Sequence, residues 1–190
     1  MKKNDKREQI LSAASKCIAK NGYANVSLRD IADEAGVVLS QLNYYFGNKE
    51  VIFSEIIKNF VDSFLEGFKN YLNLGKMVEN KIELLSNYLK KVSQEDKLSF
   101  KLLCDLVSMS LWSDSFKKIF NDLFARFNTL IEEHLFSKKS LNENYNKYPK
   151  ATLANVVANV MFGIMMKTSV STADGNSNIN SLDVMNEIFK

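Results

Sequence analysis

One proline and seven glycines among 190 residues leave few places where a helix must break, because these two residues interrupt helical backbone most often. Cysteine is scarce as well. Cys17 and Cys104 stand far apart, each among apolar neighbours, which argues against a disulfide framework and offers no zinc-like spacing. A reducing cytosol suits them. The single histidine, His134, follows Glu132 and Glu133. A metal there would need ligands converging from elsewhere, and an exposed helix residue is the simpler reading. No Gly-rich phosphate loop, nucleophile elbow or metal-spaced cluster occurs, so neither an enzyme nor a cofactor is expected. There is no strong excess of either charge: 25 Lys and Arg oppose 22 Asp and Glu, and residues 1–50 hold 8 basic against 6 acidic side chains. Nucleic-acid binding therefore has to be argued from a motif rather than from bulk charge. Long hydrophobic runs are missing too. The longest, Leu153 to Met166, contains Asn155 and Asn159 and falls short of the roughly 20 residues that a membrane span requires. Met1 to Arg7 is charged and lacks the apolar core of a signal peptide. A cytoplasmic protein with no membrane partner is expected.

What is present reads with helical period. Ile10, Leu11, Ala14, Cys17 and Ile18 follow the i, i+3, i+4, i+7 rule, and Asn21-Gly22 supplies a stop. Ser27 can cap the next helix, with Asp30 three residues on as the reciprocal side of a capping box. Leu28, Ile31, Ala32 and Ala35 form its buried stripe, and Gly36 breaks it. A third short helix follows at about Leu39 to Tyr45. Asn48 then caps a long helix that carries Glu50 in its first turn and runs to about Leu74, before Gly75. Further helices are expected at about Met77–Val92, Glu95–Trp112, Asp114–Phe136, Pro149–Thr168 and Ser181–Phe189. Polar loops are expected at Ser137–Tyr148 and Ser169–Asn180. The fold class is all-α.

The segment Ser27 to Phe46 has the pattern helix, Gly-containing turn, helix. In this arrangement the second helix can enter the major groove while the first braces it. Ile31, Ala32, Val37, Leu42 and Phe46 are expected inward. Leu39, Ser40, Gln41 and Asn43 are then left at or near the exposed face. Asn and Gln can each pair with the N6/N7 edge of adenine, and Leu39 can touch a thymine methyl. Ser27, Arg29, Tyr44, Tyr45 and Lys49 are placed to reach phosphates. Outside such a motif these polar residues would read as solvated helix positions, and Tyr44 is expected to pack its ring and offer only its hydroxyl. Lys2, Lys3, Lys6 and Arg7 read equally as a solvated tail or as added phosphate contacts.

Residues Ile10 to Phe53 resemble the DNA-binding domain of TetR-family regulators. The matching pieces are Ile10-Leu-x-x-Ala14, Asn21-Gly-Tyr23, Ser27-Leu-Arg-Asp-Ile-Ala32, Ala35-Gly-Val37, Leu42-x-Tyr44-Tyr45-Phe46 and Asn48-Lys-Glu50 with Phe53. The resemblance implies a helix-turn-helix domain over residues 1–48 and a helical ligand-binding and dimerisation body over residues 49–190. It also implies a homodimer on a double-stranded, palindromic operator, and repression relieved by a small molecule. Three positions depart from the family pattern. Val38 stands where Ser or Thr usually caps the recognition helix, so that Ser40 is left to cap it instead. Leu39 and Asn43 replace residues that are commonly basic or polar, and Tyr, respectively. These departures bear on which DNA sequence is read.

The body is rich in Phe and Met. Phe100, Cys104, Met109, Trp112, Phe116 and Phe120 are candidates to line a pocket for an apolar or aromatic effector; the alternative is ordinary core. Asp105 is the nearest group that could meet a cationic ligand. Residues 151–166, apolar around much of the helix with Ala151, Ala154, Ala158 and Gly163 allowing close approach, pair with 181–189 as an expected dimer seam. The alternative is a helix buried within one subunit. Two rivals remain: a DNA-binding protein with no effector, and a helical enzyme.

Overall fold

The computed structural model describes residues 3–74, 84–85, 87–88, 92, 97–136 and 147–170. Its described helices are α1 (Lys3–Asn21), α2 (Leu28–Glu34), α3 (Leu39–Phe46), α4 (Lys49–Leu74), α5 (Lys97–Ser110), α6 (Asp114–Leu135) and α7 (Lys150–Val170). No strand occurs among the described residues, so the chain is all-α as expected. The expected helix at Ser181–Phe189, which is half of the expected dimer seam, lies outside the described residues. So do most of Met77–Val92 and of the two loops.

Local signals account for the first boundaries. The Gly22 N–H bonds to the Ile18 carbonyl at 2.8 Å, and Gly22 takes a φ of +78°, which side chains disfavour. The chain then makes one 3-10 turn, Tyr23–Asn25. The capping box of α2 is complete: Ser27 Oγ accepts from the Asp30 N–H at 3.2 Å, and Asp30 Oδ2 accepts from the Ser27 N–H at 2.7 Å. Hydrogen bonds from Ser27 hold the Asp30 carboxyl below its ordinary pKa. The cap is therefore at full strength at neutral pH and is lost only as pH falls through that depressed value. Gly36, with φ +59°, turns the chain between α2 and α3. Asn48 Oδ1 accepts the Val51 N–H at 2.9 Å and so caps α4. Val38 precedes α3 with no side-chain cap, and Ser40 lies inside the first turn. The expected transfer of the cap to Ser40 does not occur, and α3 keeps its full length.

The described chain packs as two compact units. The first joins Met1–Asp62 with Lys101–Phe120; the second joins Ser63–Phe100 with Asn121–Lys190. In the first, α1 packs on α2 and α2 on α3. Ile10, Ala14, Ile18, Ile31, Ala32, Leu42 and Phe46 are buried beneath them, each large apolar side chain contributing about 1.5–3 kcal/mol. Long side chains add cross-ties. Gln9 Nε2 donates to the Ala35 carbonyl at 2.7 Å. The Arg7 guanidinium grips both oxygens of Glu55 and lies 5.1 Å from the Phe46 ring centroid. Arg7 is thus a tie between α1 and α4 rather than part of a solvated tail.

In the second unit the later part of α4 buries Leu65, Phe68 and Leu72. Phe64, Phe68, Tyr88 and Phe127 form an aromatic cluster, with Phe68 4.7 Å from Phe127 and 5.0 Å from Tyr88 between ring centroids. Phe124 of α6 meets Phe162 of α7 edge-on at 5.1 Å. Leu153, Ala154, Val157, Ala158, Met161 and Met165 make the buried side of α7.

Candidate nucleic-acid interface

The outward side of the short third helix is polar and stands on a buried frame. Leu42 and Phe46 anchor α3 inward, while Ser40 and Asn43 are exposed and Leu39 and Gln41 are half-buried. Ile31, Ala32, Leu42 and Phe46 are buried as expected, and Val37 is half-buried. Ser27 and Arg29 are exposed at the start of α2. Tyr44 differs from its expected packing. The residue is 73% exposed, and its ring meets that of the half-buried Tyr45 edge to face at 5.3 Å. Ring and hydroxyl alike therefore lie largely at this surface.

Lys49 takes a different place from the phosphate clamp expected of it. Its Nζ donates to the carbonyls of Tyr23 and Val26, each at 2.7 Å, and lies 4.2 Å from the Tyr23 ring centroid. Partial burial lowers the pKa of the ammonium. Two of the three N–H donors are thus used within the protein, holding the 3-10 turn against the start of α4. Lys49→Met is expected to lower stability by about 1.5–3 kcal/mol in urea unfolding. A salt slope of DNA binding that flattened by about one unit in this variant would restore the outward role.

Beneath the reader lies an aromatic hub in the first unit. The Tyr23 ring stacks on Phe53 at 4.3 Å and meets the edge of Phe116 at 6.4 Å, and Phe53 and Phe116 are 5.3 Å apart. Phe53 and Phe116 are fully buried. The Tyr23 N–H donates to Asp105 Oδ2 of α5 at 3.2 Å. Glu50 accepts from the hydroxyls of Ser113 and Ser115, which holds its carboxyl below the ordinary pKa. These contacts join residues 30 to 93 positions apart along the chain, and nothing in the periodicity announces them.

The pocket candidates differ in their exposure and surroundings. Phe116 belongs to the hub. Trp112 stands on the turn after α5 and is 85% exposed, and its neighbour Leu111 is 74% exposed. Cys104, Met109 and Phe120 are half-buried in the first unit, and Phe100 is buried in the second. A groove of about 490 Å³ runs beside the start of α4, lined by Asn48, Glu50, Val51, Ser54, Glu55, Lys58 and Ser115. None of the expected pocket residues lines it. The second unit holds a polar group that periodicity did not single out: Asn128 Oδ1 on α6 is buried with no hydrogen-bond partner among the described residues.

Three helices of this form, with a capped brace, a glycine turn and a short polar helix presented outward, make a helix-turn-helix unit. Residues 10–56 match the family model described as bacterial regulatory proteins, tetR family. Over that unit the chain is similar to the tetR family of bacterial regulatory proteins. It is 30% identical over 73 residues to the HTH-type transcriptional repressor KstR2 of Rhodococcus jostii (strain RHA1), which covers 38% of this chain and 36% of that protein. The match thus spans little more than a third of the relative's length. Solved structures share the fold over nearly the whole chain. SCO7518 of Streptomyces coelicolor A3(2) superposes with a TM-score of 0.78 at 20% identity, covering 97% of this chain and 98% of that one. NemR of Escherichia coli in its reduced form gives 0.77 at 17% identity, covering 98% of each. Among the described residues no helix is long and apolar enough to cross a membrane.

Proposed function

We propose that this protein is a sequence-specific DNA-binding transcriptional regulator of the cytoplasm, a repressor rather than an enzyme. The observation that carries the reading is the exposed row Ser40, Asn43 and Tyr44 on a helix whose opposite side, Leu42 and Phe46, is buried. Asn43 reads a base edge, with Gln41 and Leu39 flanking it. Ser27, Arg29, Tyr44 and Tyr45 hold phosphates and set the register. Two copies, joined through the exposed side of residues 151–166 and through 181–189, address half-sites about 34–36 Å apart on a palindromic duplex. A small, largely apolar or aromatic effector binds in the helical body. It favours a spacing of the two readers that no longer fits adjacent grooves, which requires different affinity for the two states. The unpartnered Asn128 oxygen supports such a site, since a buried carbonyl without a donor costs about 1–3 kcal/mol that a ligand N–H or O–H would recover. A second reading, a regulator with no effector, draws on the closed packing around Phe116.

The test is fluorescence anisotropy against a duplex recovered by selection from random DNA, with a scrambled duplex as competitor, at two salt concentrations. Tight, salt-dependent and selective binding is expected, and equal weak binding to both duplexes would refute the reader. Asn43→Ala is expected to relax preference at one base pair by roughly 1–3 kcal/mol, measured on duplexes substituted at each position in turn.

A further inference from the structure

The short bridge between α1 and α2 is held from two sides. From α4, Lys49 Nζ holds the carbonyls of Tyr23 and Val26. From α5, Asp105 Oδ2 accepts the Tyr23 N–H. We infer that Asp105 is a positioning residue for DNA reading: it latches the Tyr23 peptide and so sets the point from which α2 and α3 are suspended. This inference rests on the DNA-binding reading proposed above.

Three observations carry it. The Asp105–Tyr23 contact joins residues 82 positions apart, so it is a tie between elements and not a feature of local helix geometry. Tyr23 precedes the α2 cap, Ser27, by four residues, and the Lys49 bonds to Tyr23 and Val26 make the intervening backbone stiff. A displacement at Tyr23 is therefore passed to the brace helix instead of being absorbed in a loose loop. Finally, the carboxylate sits where it is poorly solvated. It is half-buried, with the Tyr23 N–H as its hydrogen-bond donor, and burial pushes its pKa up despite that bond. An ionised group in such a place costs stability that a neutral side chain would not. A residue needed only to fill this space would be better as leucine, so the acceptor at this position is explained by what it holds.

The test uses the full chain as Asp105→Leu and Asp105→Asn. The readouts are urea unfolding, anisotropy on the duplex selected by the unsubstituted protein, and hydrogen exchange of the Tyr23 amide. Loss of one latch bond corresponds to about a tenfold change. Asp105→Leu is expected to bind the duplex about tenfold more weakly and to speed Tyr23 exchange by a similar factor, with a urea midpoint unchanged or raised. Asp105→Asn, whose amide oxygen still accepts the N–H, is expected to restore most of both. Undiminished DNA binding by Asp105→Leu overturns the inference. So does a midpoint that falls in step with binding, which marks an ordinary packing defect. If the unsubstituted protein selects no duplex, the DNA-binding reading is what fails. The Tyr23 amide still decides the latch in that case, since protection unaltered in Asp105→Leu rules it out.

Discussion

Phe53→Ala is expected to remove about 3–5 kcal/mol of stability, measured as a shift of the urea midpoint followed by circular dichroism. Phe53 is fully buried, and its ring is stacked at 4.3 Å on Tyr23 and lies 5.3 Å from Phe116. Deleting it costs the transfer free energy of the ring and leaves a cavity between two other rings that are themselves tethered. Tyr23 is fixed by Asp105 and Lys49, so it cannot slide in to fill the space. Phe116 sits two residues into α6, and its backbone is held by the helix. Sites that cannot collapse lie at the costly end of the large-to-small series. Small domains hold only about 5–15 kcal/mol in total, so operator binding should be lost on warming well before it is lost in the unsubstituted protein. Phe53→Leu, which refills much of the volume, should lose less. A cost under about 1 kcal/mol for Phe53→Ala would show that the hub does not organise this unit.

The same hub marks the limit of what could be read from the residues alone. Signals that act over three or four positions were legible. Ser27 with Asp30 announced the α2 cap, Asn48 announced α4, Gly36 announced the turn, and the apolar period carried α4 to Leu74. The reader face followed from these, because once Leu42 and Phe46 are inward, Ser40 and Asn43 have only solvent to face. Contacts set by tertiary closure were not legible. Lys49 looks like a phosphate clamp until two carbonyls, 23 and 26 residues earlier, come within 2.7 Å of its ammonium. Phe116 reads as a pocket wall by composition, but an aromatic residue carries no mark of which ring it will meet. Trp112 is expected at the end of the helix Glu95–Trp112 and, by composition, in a pocket wall. The helix ends at Ser110, where Ser110 Oγ turns back to the Val107 carbonyl at 2.7 Å, and the indole is left outside. At Tyr44, period alone gives the side of the helix but not the depth of the neighbour, and the residue is left largely exposed.

Val156→Glu is expected to dissociate the proposed homodimer and with it to lose about 10²–10⁴-fold in affinity for a two-half-site duplex, while binding of a single half-site falls little. The argument starts from charge. Between Lys150 and Lys167 the helix α7 carries no ionisable side chain, in a protein whose residues are 25% charged. One side of it is buried within the subunit. The other side exposes Ala151, Thr152, Asn155, Val156, Asn159, Val160 and Gly163, with Val156 46% and Val160 38% exposed. An exposed helix face normally gathers Lys and Glu, and small uncharged residues suit close approach of another helix. The amides of Asn155 and Asn159, already bonded to each other at 2.8 Å, each carry donors and acceptors. They can therefore meet their own copies across a two-fold axis, where a charged residue would meet its like. A glutamate at position 156 would enter that seam twice and find no cation on the same face, at a cost of several kcal/mol. Val156→Ala removes only a little apolar area and should leave the dimer nearly intact. Sedimentation at several protein concentrations, run beside anisotropy on one-site and two-site duplexes, separates the outcomes. Dissociation together with selective loss of two-site binding supports the seam. A Val156→Glu protein that sediments as the same dimer and binds both duplexes unchanged places the interface elsewhere.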